Sequence, residues 1–174
     1  MIAPTLTTDR LTITPMSMAH WEAYALAWAD PQMTAFIGGK PRTRGESWPK
    51  FVQGVGLWTL FGYGFWTFIE LETGAFVGNG GLARFERSIP QIEGFPEAGW
   101  AFVPEVWGKG YATEAMTAIL NWADANLNAL ETRCMIDPEN AASLNVAKKL
   151  GYQQFSEVES AIGRSALFAR PRPR

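Results

Sequence analysis

The sequence predicts an α/β domain, α+β in its layering, on a mixed and mostly antiparallel sheet. Three patterns predict it. A strand, turn, helix and strand over 97–136 is the kind of unit that lays two strands parallel through a right-handed crossover. Ahead of it the chain reads as a strand-rich meander rather than as alternating strands and helices. Behind it, 153–158 and 165–170 read as a closing antiparallel pair. With 174 residues, 47% hydrophobic and 18% charged, the chain suits one domain over 1–174 with a full core.

Each element has its own signal. Arg10 to Pro15 alternates polar and apolar residues and reads as the first strand. Met18 to Ala29 is helix-like and ends at Asp30-Pro31; residues 36–41 form a loop. A second helix starts at Thr43 or Arg44 and runs through Trp58, with Gly54 and Gly56 weakening its continuity. Residues 64–71 and 76–84 are strand-like around Glu72-Thr73-Gly74, which predicts a hairpin. A proline-containing loop over 86–96 leads to the strand 97–103. The helix 112–127 carries Met116, Ile119, Leu120, Ala123 and Leu127 as one apolar stripe that must lie on the sheet. A strand over 131–136 follows. Asn140 then caps a short helix that stops at Gly151. The tail 171–174 is expected to fray.

Bulk properties narrow the function. A net charge of −2 gives no basic field for nucleic acid. No apolar run reaches membrane-spanning length and no signal-peptide pattern opens the chain, so the expectation is cytoplasmic. The single cysteine, Cys134, sits in an apolar run and reads as a buried inert thiol. One histidine and one cysteine make a zinc site implausible, and no metal is expected.

The most informative stretch is Trp107-Gly108-Lys109-Gly110-Tyr111-Ala112-Thr113-Glu114. A glycine-rich turn between a strand and a helix start can hold phosphate. Glycine lets the backbone approach closely, several N–H groups point one way, and the helix dipole adds positive charge. The turn lacks the Gly-Lys-Ser/Thr ending of a Walker loop, and it lacks the third glycine of a dinucleotide fingerprint.

The turn, together with Asp137-Pro138-Glu139-Asn140-Ala141-Ala142-Ser143-Leu144 and Lys148-Lys149-Leu150-Gly151-Tyr152, resembles the GNAT acetyltransferases. The branch it resembles is that of the ribosomal-protein N-terminal acetyltransferases RimJ and RimL. The resemblance runs from Thr8-Asp9-Arg10-Leu11 to about Leu167. The family's pyrophosphate motif, Gln/Arg-x-x-Gly-x-Gly/Ala, falls on Trp107-x-x-Gly110-x-Ala112, with tryptophan where a polar side chain is usual.

The resemblance implies the GNAT fold: a three-layer α/β domain with helices on both faces and a sheet splayed at an acetyl-CoA cleft between the strands 97–103 and 131–137. It further implies that the backbone of Ala101, Phe102 and Val103 pairs with the pantetheine arm. The amides from Gly108 through Lys109, Gly110, Tyr111 and Ala112 to Thr113 would bind the pyrophosphate beside Trp107. Asn140 would reach the pantetheine side, although a plain helix N-cap explains it equally well.

Acetyl transfer needs a neutral amine, a polarised thioester carbonyl and a proton for the leaving thiolate. Many GNATs place a tyrosine where this chain has Ala147, which cannot act. Ser143 matches a serine of the RimL-like branch and is the candidate for the thiolate, with a helix-surface serine as the alternative. Glu97 is the candidate base, directly or through water, because burial would favour its taking a proton; a solvated strand-end glutamate is the alternative. Glu93 is a weaker base candidate, and His20 reads as structural.

The implied partners are acetyl-CoA and an amine acceptor, either a peptide N-terminus or a small molecule. A homodimer stays open. The acceptor side would draw on Trp21, Trp28, Phe36, Trp48, Phe51, Trp58 and Trp66, which sequence cannot sort between groove and core. Arg42, Arg44 or Arg84 could hold a carboxylate there. A non-catalytic acyl-CoA-binding protein is the rival from another class.

Overall fold

The computed structural model describes residues 3–160 and 163–173. Eight strands form one sheet: β1 (Leu6–Thr7), β2 (Leu11–Pro15), β3 (Phe65–Glu70), β4 (Phe76–Ala83), β5 (Glu97–Phe102), β6 (Glu131–Ile136), β7 (Gln153–Ser160) and β8 (Gly163–Pro171). Their order is β1-β2-β3-β4-β5-β6-β8-β7. All neighbours pair antiparallel except β5 and β6, which are parallel as the 97–136 unit predicts.

The helices are α1 (Trp21–Trp28), α2 (Pro31–Thr34), α3 (Arg44–Phe61), α4 (Tyr111–Asn126) and α5 (Ala141–Lys149). Thr43 starts α3 with a reciprocal cap: its hydroxyl accepts from Glu46 N–H, and Glu46 accepts from Thr43 N–H at 2.8 Å. The helix runs on through Pro49, Gly54 and Gly56, held by the burial of Phe51, Leu57 and Trp58. The expected stripe of α4 is buried at Met116, Ile119, Leu120 and Ala123. Burial of this kind contributes about 1.5–3 kcal/mol for each large side chain.

One core lies under α4 and α5, and gathers Ile13, Phe68, Phe102, Ile119 and Ala147. The other lies under α1, α2 and α3, and gathers Trp21, Trp28, Met33, Phe51 and Ala101. Helices therefore cover both faces, and the fold is the three-layer GNAT fold. Among the described residues no helix is long and apolar enough to cross a membrane.

Two short elements escape the sequence pattern. Strand β1 has only two residues, too few to show a period. Helix α2 is a single turn capped by Asp30, which accepts from Gln32 N–H at 2.6 Å, with Pro31 in its first turn; Asp-Pro starts a helix there as well as ending one. The expected fray at 171–174 does not hold at its first two residues. Pro171 lies opposite Glu131, and Arg172 N–H reaches Leu130 C=O at 2.8 Å. Arg174 lies outside the described residues.

Strand β4 fixes the middle of the sheet through its glycines. A Cβ on Gly78 (φ 159°) would stand 2.3 Å from the Ala101 carbonyl oxygen, so β4 and β5 meet more closely there than a side chain permits. Gly78→Ala is expected to lower the unfolding free energy by about 2 kcal/mol or more. Urea denaturation reads this as an earlier midpoint at unchanged slope; an unmoved midpoint would show that the approach has slack.

Candidate functional site

Strands β5 and β6 touch at one end only. Glu97 lies opposite Arg133, and Arg133 N–H donates to Pro96 C=O at 3.0 Å. Beyond this bridge the strands part. A cavity of about 810 Å³ opens between them, lined by Glu97 to Ala101 on one side and by Met135, Ile136, Asp137, Asn140 and Ser143 on the other. The loop before β5 holds the closed end shut. Arg133 binds Glu131, donates to the Gln91 carbonyl and stacks on Phe95.

The free backbone edge along this gap differs from the expectation. Val103 N–H donates to Val77 C=O, and its carbonyl accepts from Val106 N–H, so both of its groups are engaged. Antiparallel alternation from that bond turns the Ala101 backbone toward β4, opposite Asn79, while its side chain is buried against α1 and α3. Of the three residues expected to pair with pantetheine, Phe102 alone faces the gap, and Trp100 joins it. The Phe102 carbonyl is already taken, because Trp107 donates its indole N–H to it at 2.7 Å. Trp107 thus caps the end of β5 with its side chain where the family pattern has a polar residue near the phosphates. The groups left for an extended ligand are Trp100 N–H and C=O and Phe102 N–H.

The turn before α4 is built on two glycines. Gly108 (φ 73°) and Gly110 (φ 84°) are both left-handed, a conformation that favours glycine. The first bond of α4 runs from Glu114 N–H to Gly110 C=O. The N–H groups of Tyr111, Ala112 and Thr113 therefore precede the ladder and stay open for an anion. The Lys109 side chain is exposed at the same place.

A brace behind this turn was not visible in the pattern. Arg10 donates to the Lys109 carbonyl at 2.8 Å, forms an ion pair with Glu114 and lies over the Tyr111 ring at 4.2 Å. Burial pushes the Glu114 carboxyl up, but the hydrogen bonds from Thr8 and Arg10 outweigh it and hold it below the ordinary value. The Tyr111 hydroxyl donates to Glu70. The only signal was Thr8-Asp9-Arg10-Leu11, which marked where the resemblance began but not what Arg10 touches.

The candidate catalytic residues divide. Asn140 caps α5, its side-chain oxygen accepting from Ser143 N–H at 3.0 Å, and it also lines the cavity. Ser143 is half-buried in the same wall. Among the described residues its hydroxyl has no partner. Glu97 is buried, but it is half of an ion pair rather than a free base: Arg87 donates to both carboxylate oxygens at 2.7 Å. Ser88, beside Arg87, has left-handed backbone (φ 56°).

Glu93 is exposed in the loop, and His20 lies beside Ser17 at the start of α1, outside the cavity lining. Burial pushes the Cys134 thiol up, as an inert core cysteine requires. Among the described residues no group of three or more His, Cys, Asp or Glu is placed to hold a metal.

The aromatic residues are now sorted. Trp58 and Trp66 pack with Trp122 in the core under α4. Trp21, Trp48 and Phe51 pack together between α1 and α3. Trp28 and Phe36 line the cavity with Tyr24, Phe65, Phe85 and Trp100. The aromatic wall and the gap between β5 and β6 thus belong to one cavity.

A sheet splayed beside a glycine turn at a helix start defines an acetyltransferase class of site. A family model for the acetyltransferase (GNAT) domain matches residues 10–153, and the chain belongs to that family. It is 27% identical over 164 residues to the uncharacterized N-acetyltransferase p20 of Bacillus licheniformis, covering 92% of this chain and 90% of p20. It is 32% identical over 153 residues to the uncharacterized protein YkkB of Bacillus subtilis, covering 84% and 83%. Among solved structures, a Bordetella pertussis protein assigned to the GNAT family superposes with a TM-score of 0.86 at 27% identity, covering 97% of this chain and 99% of that one. Spermidine N-acetyltransferase of Vibrio cholerae, solved with CoA and spermine, shares the fold at a TM-score of 0.75 and 13% identity, covering 95% and 97%.

The brace is testable. Arg10→Met is expected to weaken CoA binding about tenfold by loosening the turn, with the circular dichroism spectrum unchanged. Calorimetric titration checks this; an unchanged Kd would show that the turn holds its shape without Arg10.

Proposed function

We propose that this protein is an acetyl-CoA-dependent N-acetyltransferase that moves the acetyl group directly to a primary amine, either a peptide N-terminal α-amine or the amine of a small molecule. The observation that carries the reading is the junction of the two half-sites: an anion-binding turn with open N–H groups leads into an unpaired strand edge, and that edge opens onto an aromatic-walled cavity.

The turn from Gly108 to Thr113 takes the pyrophosphate of the donor. The free groups of Trp100 and Phe102 pair with its extended arm as a neighbouring strand would. This places the thioester where β5 and β6 part. The amine nitrogen attacks the carbonyl carbon, the C–S bond breaks, and the amine gives up a proton while the sulfur gains one. Ser143, with its hydroxyl uncommitted in the cleft wall, donates to the departing sulfur. Asn140 sets the start of α5 and thereby the position of Ser143. Because Glu97 is bound at both oxygens by Arg87, the amine proton leaves through water, and the pair shapes the closed end of the gap. The match at Ser143 supports a RimJ- and RimL-like reading, in which the acceptor is a cytoplasmic α-amine.

Ser143→Ala is expected to lower kcat about tenfold to a hundredfold while leaving CoA affinity nearly intact. A thiol-release assay together with CoA titration separates the two effects. Unchanged turnover removes Ser143 from the chemistry. CoA binding with no turnover on any amine in the wild type would instead identify a binding protein.

A further inference from the structure

The acceptor half of the cavity contains a cluster of hydrogen-bond donors with no acid among them. Arg42 is half-buried in the cavity wall, its guanidinium carbon 3.8 Å from the centroid of the Trp28 ring. Among the described residues no carboxylate lies within ion-pair distance of it. Glu46, the nearest acid to act on it, is bound to Thr43 and Lys40.

The ring beneath Arg42 is fixed from its edge. Trp28 donates its indole N–H to the Asn79 side-chain oxygen at 3.0 Å, and both residues are buried. An indole N–H can only donate, so this bond settles which end of the Asn79 amide is oxygen. Among the described residues the Asn79 NH₂ group then has no acceptor, and the residue lines the cavity. The buried Tyr24 hydroxyl completes the cluster against Arg42. Burial pushes it up to about 12, so at neutral pH it is an intact donor.

The remaining charges point the same way. Lys50 and Arg84 also line this half, neither within ion-pair distance of a described carboxylate. Arg87 and Arg164 line it too but are paired with Glu97 and Glu157. Two lining acids stand outside any ion pair among the described residues: Glu86, exposed on the rim, and Asp137, at the end of β6, which accepts from Glu139 N–H. The other sequence candidate, Arg44, is outside the cavity lining and spent on Glu22 in an exposed bidentate pair. A polycation such as the spermine bound by the Vibrio cholerae enzyme would meet cations here.

We propose that Arg42, Asn79 and Tyr24 form an acceptor-anchoring site for a carboxylate, so that the acceptor amine belongs to a carboxylate-bearing molecule such as a free amino acid or a short peptide with a free acid. Arg42 supplies a planar fork suited to a carboxylate, pre-aligned by stacking on Trp28. Asn79 supplies a neutral donor one strand away from the free edge of β5, since it lies opposite Ala101. A single small acceptor can therefore reach both the anchor and the thioester.

This inference rests on the acetyl-transfer reading, and the test separates the two. Amino acids and dipeptides are offered with acetyl-CoA as free acids and as their C-terminal amides, alongside spermine, with thiol release as the readout. The same pairs are titrated calorimetrically into the CoA-saturated protein. Free acids are expected to exceed their amides at least about tenfold in kcat/KM and in affinity. Arg42→Met is expected to erase that difference mainly through KM, with Kd for CoA unchanged, and Arg42→Lys to keep part of it. Equal handling of acids and amides, a preference for spermine, no binding of any free acid, or equal losses for both members of each pair in Arg42→Met would overturn the anchor. Selective binding of acids without turnover would keep the anchor and overturn acetyl transfer.

Discussion

The parallel pairing of β5 with β6 is confined to one bridge, Glu97 opposite Arg133, and the cleft depends on where that pairing stops. A parallel ladder continued along both strands would bury the Trp100 and Phe102 backbone groups in the sheet and leave nothing for a ligand to pair with. Charge holds the closed end. Arg87 grips Glu97, and Arg133 grips Glu131 and the loop carbonyl of Gln91. These contacts flank the one bridge, and the opening lies beyond it, lined by Gly99 to Ala101 and by Ile136.

The ends of the cleft then follow from how each strand leaves the sheet. Strand β5 runs into the turn that starts α4, and the brace from Arg10 holds that turn from behind. Strand β6 runs to Asp137 and the cap of α5, which brings Ser143 into the wall. Trp107 closes the end of β5 by occupying the Phe102 carbonyl. On the proposed reading, a donor laid along this edge has its phosphates and its thioester at opposite ends. The glycines of β4 bring Asn79 up to the second core from the other side. The proposed acceptor anchor is thus built on the strand adjacent to the one proposed to receive the donor.

The turn before α4 and the facing of that helix were legible in the sequence, because both are local. Gly108 and Gly110 carry their conformational meaning themselves, and the stripe from Met116 to Ala123 states which way α4 faces. The acceptor half was not legible, because its residues come from separate elements. Nothing in the pattern distinguishes Trp58, a core residue, from Trp28, a wall residue; the difference is that Trp28 meets Asn79 across fifty-one positions of chain. The same holds for Glu97. Its place at a strand end could be read, but its partner Arg87 sits in a loop whose path no periodicity sets. Alternation alone could have excluded Val103 and Ala101 from the free edge had the register with β4 been known.

Amide hydrogen exchange of the intact protein, with and without saturating CoA, tests most directly whether the gap between β5 and β6 receives the donor. Exchange is expected to slow at Trp100 and Phe102 and across 108–113, with Val103 and the amides of α1 and α3 unchanged. Protection absent from these positions, or confined to another part of the sheet, would contradict the placement of the site.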